Sequence, residues 1–156
     1  MSGFINTIDL LGENEVLKQY LDLSLAEFKD DVITEVKGVG FKQRKSLTNL
    51  HLPNVITVHN YTIGYCTSLK YVDFSSLTSI GVQSFASNSK MDTFVLRTPT
   101  VCALSNVNAF ISTPISKGTG YIYVPRALVD TYKTATNWST YANQFRAIED
   151  YPEICG

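Results

Sequence analysis

Charged residues are few in this chain of 156 amino acids, and their signs nearly cancel. Lysine and arginine contribute 13 residues, aspartate and glutamate contribute 14, and together they make up 17% of the chain. Proteins that bind nucleic acid or anionic lipid electrostatically carry clustered positive charge. The balance therefore argues against nucleic acid and against an anionic membrane surface as partners.

Cysteine and histidine are also scarce. Cys66, Cys102 and Cys155 form no C-x-x-C pair, and His51 and His59 are the two histidines. Zinc sites and disulfide frameworks need paired spacings, and catalysis needs titratable groups that converge. Walker loops, nucleophile elbows, zinc-protease helices and dinucleotide-binding glycine patterns are missing. The sequence predicts free thiols, no metal, no cofactor and no catalytic residues, and so a protein that is not an enzyme.

Long apolar runs are missing too. A membrane-spanning helix needs about 20 consecutive apolar residues, and no segment approaches that length. The first residues, MSGFINTIDLLGENEVLK, lack the basic leader and the apolar core of a signal peptide. We therefore expect no membrane insertion and synthesis in the cytoplasm. A chain of this length suits one globular domain with a substantial core.

What the sequence does contain is one pattern repeated every 22 residues from Ile33 to Leu96. Its rows read ITEVKGVGFKQRKSLTNLHLPN, VITVHNYTIGYCTSLKYVDFSS and LTSIGVQSFASNSKMDTFVLRT. A fixed period in this range indicates a solenoid, in which each unit is stabilised by stacking on the next. Each row ends in an apolar-polar-apolar triplet, such as Leu50-His51-Leu52, which predicts a half-buried strand. Stacked rows then predict a parallel sheet.

The matched apolar columns predict the core. Its expected members are Val36, Leu50, Leu52, Val58, Leu69, Val72, Phe74, Ile80, Phe85, Phe94, Leu96 and Phe110. After Leu96 the columns continue in a longer fourth row, enlarged around Gly118 and Gly120, which permit a turn with positive φ. Helical patterns flank the rows near residues 14–22 and 126–134, followed by a short second helix and a closing segment through Ile148.

The rows resemble the BspA-like bacterial leucine-rich repeats, which read approximately V-T-x-I-x-x-x-A-F-x-x-C-x-x-L-x-x-V-x-L-P. Leu77-Thr78-Ser79-Ile80-Gly81 with Phe85, and Cys66-Thr67-Ser68-Leu69-Lys70 with Val72, match closely. The resemblance covers about residues 32–148. Arg44 and Asn88 stand where the family has cysteine, so we interpret Cys66 as a small buried apolar residue.

We therefore predict an α+β repeat solenoid of about four leucine-rich-type repeats of 22 or more residues, with parallel strands and helical caps at both termini. Residues 1–31 would form an N-terminal arm and cap, 32–125 the solenoid and 126–156 the C-terminal helical cap, within one globular domain. An apolar cluster in the arm either packs on the cap or docks into another protein. Its members are Phe4, Ile5, Ile8, Leu10 and Leu11.

Residues between the inward positions of each strand should point outward and form a candidate binding face. They are Asn49, His51, Tyr71, Asp73, Thr93, Val95, Tyr121 and Tyr123. Tyrosine offers a large contact area with a polar tip at low entropic cost, which is why it is enriched at interfaces. The alternative is that these residues are ordinary cross-strand neighbours that stabilise the sheet.

The resemblance also carries expectations about function. Members of this family are commonly long, exported bacterial surface proteins that bind host molecules or other cells, and related short versions resemble parts encoded by bacteriophages. We favour a non-enzymatic bacteriophage virion structural protein of the tail, baseplate, fibre or capsid, made in the host cytoplasm. Its expected partners are other virion proteins and a host cell-surface protein or glycan. The alternative is a bacterial cell-surface adhesin or host-interaction protein, for which an exported N-terminus and more repeats are expected.

Overall fold

The structure is a computed structural model that describes residues 23–38 and 41–156. Its strands are short, and each 22-residue row from Ile33 to Leu96 contributes two of them. The strands of the described residues are β1 (Glu27–Lys29), β2 (Glu35–Val36), β3 (Asn49–Leu52), β4 (Thr57–Val58), β5 (Tyr71–Phe74), β6 (Ser79–Ile80), β7 (Thr93–Leu96), β8 (Ala103–Leu104), β9 (Tyr121–Val124) and β10 (Phe145–Ala147). The predicted helix near 14–22 and the apolar arm lie outside the described residues.

These strands form two parallel sheets within the described part of the chain. A six-stranded sheet has the order β1-β3-β5-β7-β9-β10, and a four-stranded sheet has the order β2-β4-β6-β8. The register follows the repeat, because Leu50 pairs with Val72 and Val72 pairs with Phe94. The parallel strands expected from the 22-residue rows are therefore present. The second sheet was not predicted.

The core fills the space between the two sheets. All twelve residues predicted for it are buried, and they belong to one apolar cluster that includes residues of both sheets. Rings interlock along the later rows, with centroids 5.0 Å apart for both Phe85 with Phe94 and Phe94 with Phe110. Burying an aliphatic or aromatic side chain contributes roughly 1.5–3 kcal/mol each, so these columns supply most of the favourable free energy of folding.

A third side of each row connects the two sheets, and it also repeats. Gln43, Tyr65 and Ser87 occupy the same column and all adopt φ of 60°. Tyr61 N donates to the Val82 carbonyl oxygen at 3.0 Å, and Tyr65 N donates to the Ala86 carbonyl oxygen at 3.0 Å. The chain therefore turns at the same point in successive rows, and each turn is hydrogen-bonded to the next.

Gly81 and Gly120 lie where neighbouring rows leave no room for a side chain. A Cβ atom on Gly81 would lie 2.5 Å from the backbone nitrogen of Asn60. A Cβ atom on Gly120 would lie 3.0 Å from the Cα atom of Asp92 in the preceding row. In the enlarged fourth row, Gly118 has φ of 84°, which agrees with the turn expected there.

The sheet extends beyond the predicted rows in both directions. β1 lies within 1–31, the segment assigned to the arm and cap, and it pairs with β3 as an earlier row. β10 lies within 126–156, the segment assigned to a helical cap, and it pairs with β9. The closing segment through Ile148 thus contributes a strand, because Phe145 and Ala147 continue the inward column of the sheet.

Short helices precede β10. A 3₁₀ turn at Arg126–Leu128 leads into α1 (Val129–Thr134), and a kinked 3₁₀ segment spans Trp138–Gln144. A later turn, Ile148–Asp150, leads into α2 (Pro152–Cys155). The predicted helix near 126–134 corresponds to the first two elements. The prediction did not include α2.

Side chains from residues 132–138 form hydrogen bonds with the backbone at the outer edge of the four-stranded sheet. The Tyr132 hydroxyl accepts a hydrogen bond from Cys102 N at 2.8 Å, and Trp138 Nε1 donates to the Cys102 carbonyl oxygen at 2.7 Å. Asn137 Nδ2 donates to the Leu104 carbonyl oxygen at 2.7 Å. Side chains therefore satisfy backbone groups around β8, where an open edge would otherwise invite pairing with another chain.

Candidate functional site

The eight residues of the predicted binding face lie on the outward face of the six-stranded sheet. The pairing places them in two adjacent columns: Asn49, Tyr71, Thr93 and Tyr121 in one, and His51, Asp73, Val95 and Tyr123 in the other. The first column and the beginning of the second are half-buried. The strands alternate, so that the intervening residues enter the core. The eight residues predicted from the sequence to share one face therefore do share it.

The expected exposure of two of these residues is wrong. Val95 is fully buried and Tyr123 is 4% exposed, because the C-terminal segment folds back over this end of the face. Together with Cys155 they form an apolar cluster separate from the main core, onto which Tyr71, Tyr121, Ile148, Tyr151 and Ile154 pack. The face is therefore partly covered by the protein itself.

A charged network lies beside this cluster. The Tyr71 hydroxyl donates to Asp73 Oδ2 at 2.9 Å. Arg97 holds the same carboxylate through two bonds, from Nε to Oδ1 at 2.9 Å and from Nη2 to Oδ2 at 2.8 Å. Arg97 Nη2 also donates to the carbonyl oxygen of Cys155. Such a two-pronged arginine–carboxylate contact fixes both side chains in position.

The network changes the ionisation of its members. Burial, followed by the adjacent Asp73 carboxylate, raises the pKa of Tyr71, so its hydroxyl remains a donor. The hydrogen bond to Asp73 raises the pKa of Arg97 despite partial burial. Sequence reasoning missed Arg97. Its position could have been found, because Arg97 directly follows β7, and β7 is the neighbour of the strand that carries Asp73.

His51 lies at the less covered end of the face. Its ring centroid is 5.3 Å from that of Tyr71, and its Nε2 is 3.3 Å from Glu27 Oε2. At the other end, the guanidinium of Arg146 lies over the ring of Tyr121, 4.4 Å from the centroid. The face therefore alternates rings with charged groups, as protein interfaces rich in tyrosine and arginine do.

Two grooves flank this strip of rings. One, of about 500 Å³, follows the carboxyl ends of the strands and is lined by Lys29, Asp31, His51 and Arg97 among others. The other, of about 580 Å³, follows the amino ends and includes Lys70, Asp92, Tyr121 and Ile154. Both grooves carry charges of both signs, which suits polar protein surfaces better than a polyanion.

All three cysteine thiols are free and buried. Burial raises the pKa of Cys66 to about 11 and that of Cys102 to about 12, which makes both poor nucleophiles at neutral pH. Cys66 Sγ donates to the Phe41 carbonyl oxygen at 2.9 Å. Cys66 is thus a small buried residue, as predicted, with one additional polar contact.

Within residues 23–38 and 41–156, no three histidine, cysteine, aspartate or glutamate side chains group together as metal ligands would. Over the same residues, no helix has the length and apolar character to cross a membrane.

Comparison with known proteins agrees with the repeat pattern. Residues 13–123 match the model of the BspA type leucine rich repeat region, in six copies, so the match begins before residue 32, where the repeats were expected to start. No curated protein matches the chain. Leucine-rich repeats of this kind indicate protein–protein interaction or adhesion, and such families are typically non-enzymatic. The chain belongs to the BspA-type leucine-rich-repeat family.

Proposed function

We propose that this chain is a non-enzymatic attachment protein, a solenoid of stacked repeats with caps at both ends, which binds another protein through the outward face of its six-stranded sheet. The observation that carries the proposal is the strip of rings on that face. Tyr71 and Tyr121 stand half-buried two rows apart with Thr93 between them, His51 contacts Tyr71, and a groove of mixed charge lies on either side. Aromatic anchors with a polar rim are the usual composition of a protein-binding surface.

Side chains of the face are held in place by contacts within the protein itself. The tilted ring contact between His51 and Tyr71 and the two-pronged contact of Arg97 with Asp73 hold these side chains in place before binding, which reduces the entropy lost on association. A face built from stacked rows is also nearly continuous along the repeat axis, and repeat proteins use such surfaces for extended contacts.

We further propose a biological setting for this attachment protein. Some members of the family resemble parts encoded by bacteriophages, and on this resemblance we place the protein in a bacteriophage virion. The arm residues Phe4, Ile5, Ile8, Leu10 and Leu11 would then dock to a neighbouring virion protein. The sheet face would contact a host cell-surface protein or glycan, or a second virion subunit. A bacterial cell-surface adhesin is the competing setting.

Mass spectrometry of purified phage particles tests this setting. We expect the chain to be present at a fixed ratio to the known structural proteins of the particle. Its ratio should persist through density-gradient purification, since a structural component cannot be washed away. If the chain is absent from particles and is found instead on the surface of intact bacteria, the adhesin takes the place of the virion protein.

The binding face can be tested by one substitution with a matched control. Asn49→Arg places a long cation in the half-buried first column, far in sequence from the covering segment, and it should weaken attachment by about tenfold or more because it obstructs the face. Ser79→Arg makes the same change at a half-buried strand position of the other sheet and should leave attachment unchanged. The measurement is binding of the labelled protein to host cells and to particles that lack it.

Circular dichroism should show both variants folded. Equal binding of both variants, or no binding of the parent protein to either cells or particles, would contradict an attachment role for this face.

A further inference from the structure

Residues 151–155, the covering segment, lie over part of the sheet face and make contacts that resemble those of a bound peptide. The Tyr151 ring packs edge-on against Tyr123, with centroids 5.3 Å apart. Ile154 packs onto the cluster formed by Val95, Tyr123 and Cys155. Arg97 donates to the main-chain carbonyl of Cys155 while it also holds Asp73. An aromatic anchor, an aliphatic anchor and a main-chain hydrogen bond are what a peptide-binding surface supplies.

The covering segment has little stability of its own. Its helix, α2, has four residues, and an isolated helix of that length does not form in water. Pro152 and Glu153 are exposed, and the buried side of the segment meets a cluster that is separate from the main core. The segment is therefore held by the face, and it can open while the two sheets remain folded.

We propose that residues 151–155 are an intramolecular ligand of the sheet face, occupying a site where a partner's peptide segment of the same chemistry binds. That segment would place an aromatic ring on Tyr123, an aliphatic side chain on Val95 and a main-chain carbonyl on Arg97. The inference rests on the proposed attachment function and adds its regulation, because the partner must replace the chain's own segment.

The tether gives the covering segment a large advantage over a free peptide. A short linker holds the segment near the face at an effective concentration on the order of millimolar. If the face is open in about 1% of molecules, the apparent affinity for a competing segment falls about 100-fold. Weakening the cover should therefore strengthen binding in trans.

The rate at which the Cys155 thiol is alkylated reports how often the covering segment leaves the face. It is buried by the same contacts, and burial raises the pKa of its thiol, so an alkylating reagent reaches it only when the segment lifts. In the native parent protein, we expect iodoacetamide to label Cys155 at least about 100 times more slowly than in the urea-unfolded chain, but faster than Cys66 and Cys102. Peptide mapping by mass spectrometry separates the three rates.

One substitution should release the segment in the full chain. Ile154→Asp places a carboxylate against the apolar cluster, and it should accelerate Cys155 labelling by about tenfold or more without changing the rates of Cys66 and Cys102. Glu153→Gln, at an exposed position of the same helix, is the control and should label like the parent. Cys155 labelling at the unfolded rate in the parent, or no faster than Cys66 in Ile154→Asp, would overturn the inference.

A peptide of residues 148–156 with Cys155→Ser then tests the face as a ligand site. Fluorescence anisotropy should show that it binds the Ile154→Asp protein at least about tenfold more tightly than the parent, and that Arg97→Gln in the same background weakens this binding. Equal binding to both proteins, or equal binding of a scrambled peptide, would overturn the proposal.

The two proposals fail in different ways. If attachment depends on Asn49 while Ile154→Asp changes neither Cys155 labelling nor peptide binding, the intramolecular ligand is refuted and the attachment role stands. If the peptide binds as expected while Asn49→Arg leaves attachment to cells and particles unchanged, the attachment role is refuted and the peptide site stands.

Discussion

Val72→Asp should prevent the chain from accumulating as a soluble folded protein. Val72 is fully buried at the centre of the six-stranded sheet, between Leu50 and Phe94 in the register. The substitution removes an apolar contact and places a carboxylate where its neighbours in that column can neither pair with it nor solvate it. The cost should exceed about 4 kcal/mol, a large part of the roughly 5–15 kcal/mol that separates folded from unfolded chains.

Ser79→Asp is the matched control for this experiment. Ser79 lies in a strand of the same repeat array, half-buried, and its register neighbours are Thr57 and Ala103, so the new carboxylate faces solvent beside uncharged residues. We expect this variant to express and to melt within a few degrees of the parent, as surface substitutions usually do. If Val72→Asp melted like the parent, the inward column would be misplaced by one residue and the register would be wrong.

The core was predictable because stacking forces each row to repeat its apolar positions. A residue such as Phe85 has no distinctive local signal, yet its column is defined by Phe41 and Ile63 in earlier rows, and all three are buried. The second sheet was not predictable in the same way. Its strands, such as Thr57–Val58, have two residues each, which is too short for an alternating pattern to be recognised.

The candidate face was predictable in position but not in exposure. Alternation along β7 and β9 placed Val95 and Tyr123 on the outward side, and they do lie there. What covers them is Tyr151 and the four-residue helix that follows it, and a single turn has no periodicity from which its buried side can be inferred. Cover by a distant segment is a tertiary contact: Arg97 and Cys155 are 58 residues apart in sequence. No local sequence pattern indicates such a contact.

Asn88→Ala should be the most destabilising change among the buried polar side chains. Asn88 is fully buried and connects two rows through both ends of its amide: Oδ1 accepts from Cys66 N at 2.9 Å, and Nδ2 donates to the Ile63 carbonyl oxygen at 2.8 Å. Alanine leaves both backbone groups buried without these partners, at about 1–3 kcal/mol for each. We therefore expect a loss of about 2–6 kcal/mol in the free energy of unfolding, measured by urea denaturation.

Asn88→Cys separates the two hydrogen bonds. Cys66 occupies the same column one row earlier, and its Sγ donates to the Phe41 carbonyl oxygen at 2.9 Å, just as Asn88 Nδ2 donates to Ile63. A cysteine at position 88 can therefore keep a donor for Ile63 while it leaves Cys66 N unpaired, and it should lose about half as much stability as alanine. If cysteine at position 88 loses as much stability as alanine does, the bond from Cys66 N to Oδ1 carries the effect. An alanine variant as stable as the parent would show that the amide connects the rows without stabilising them.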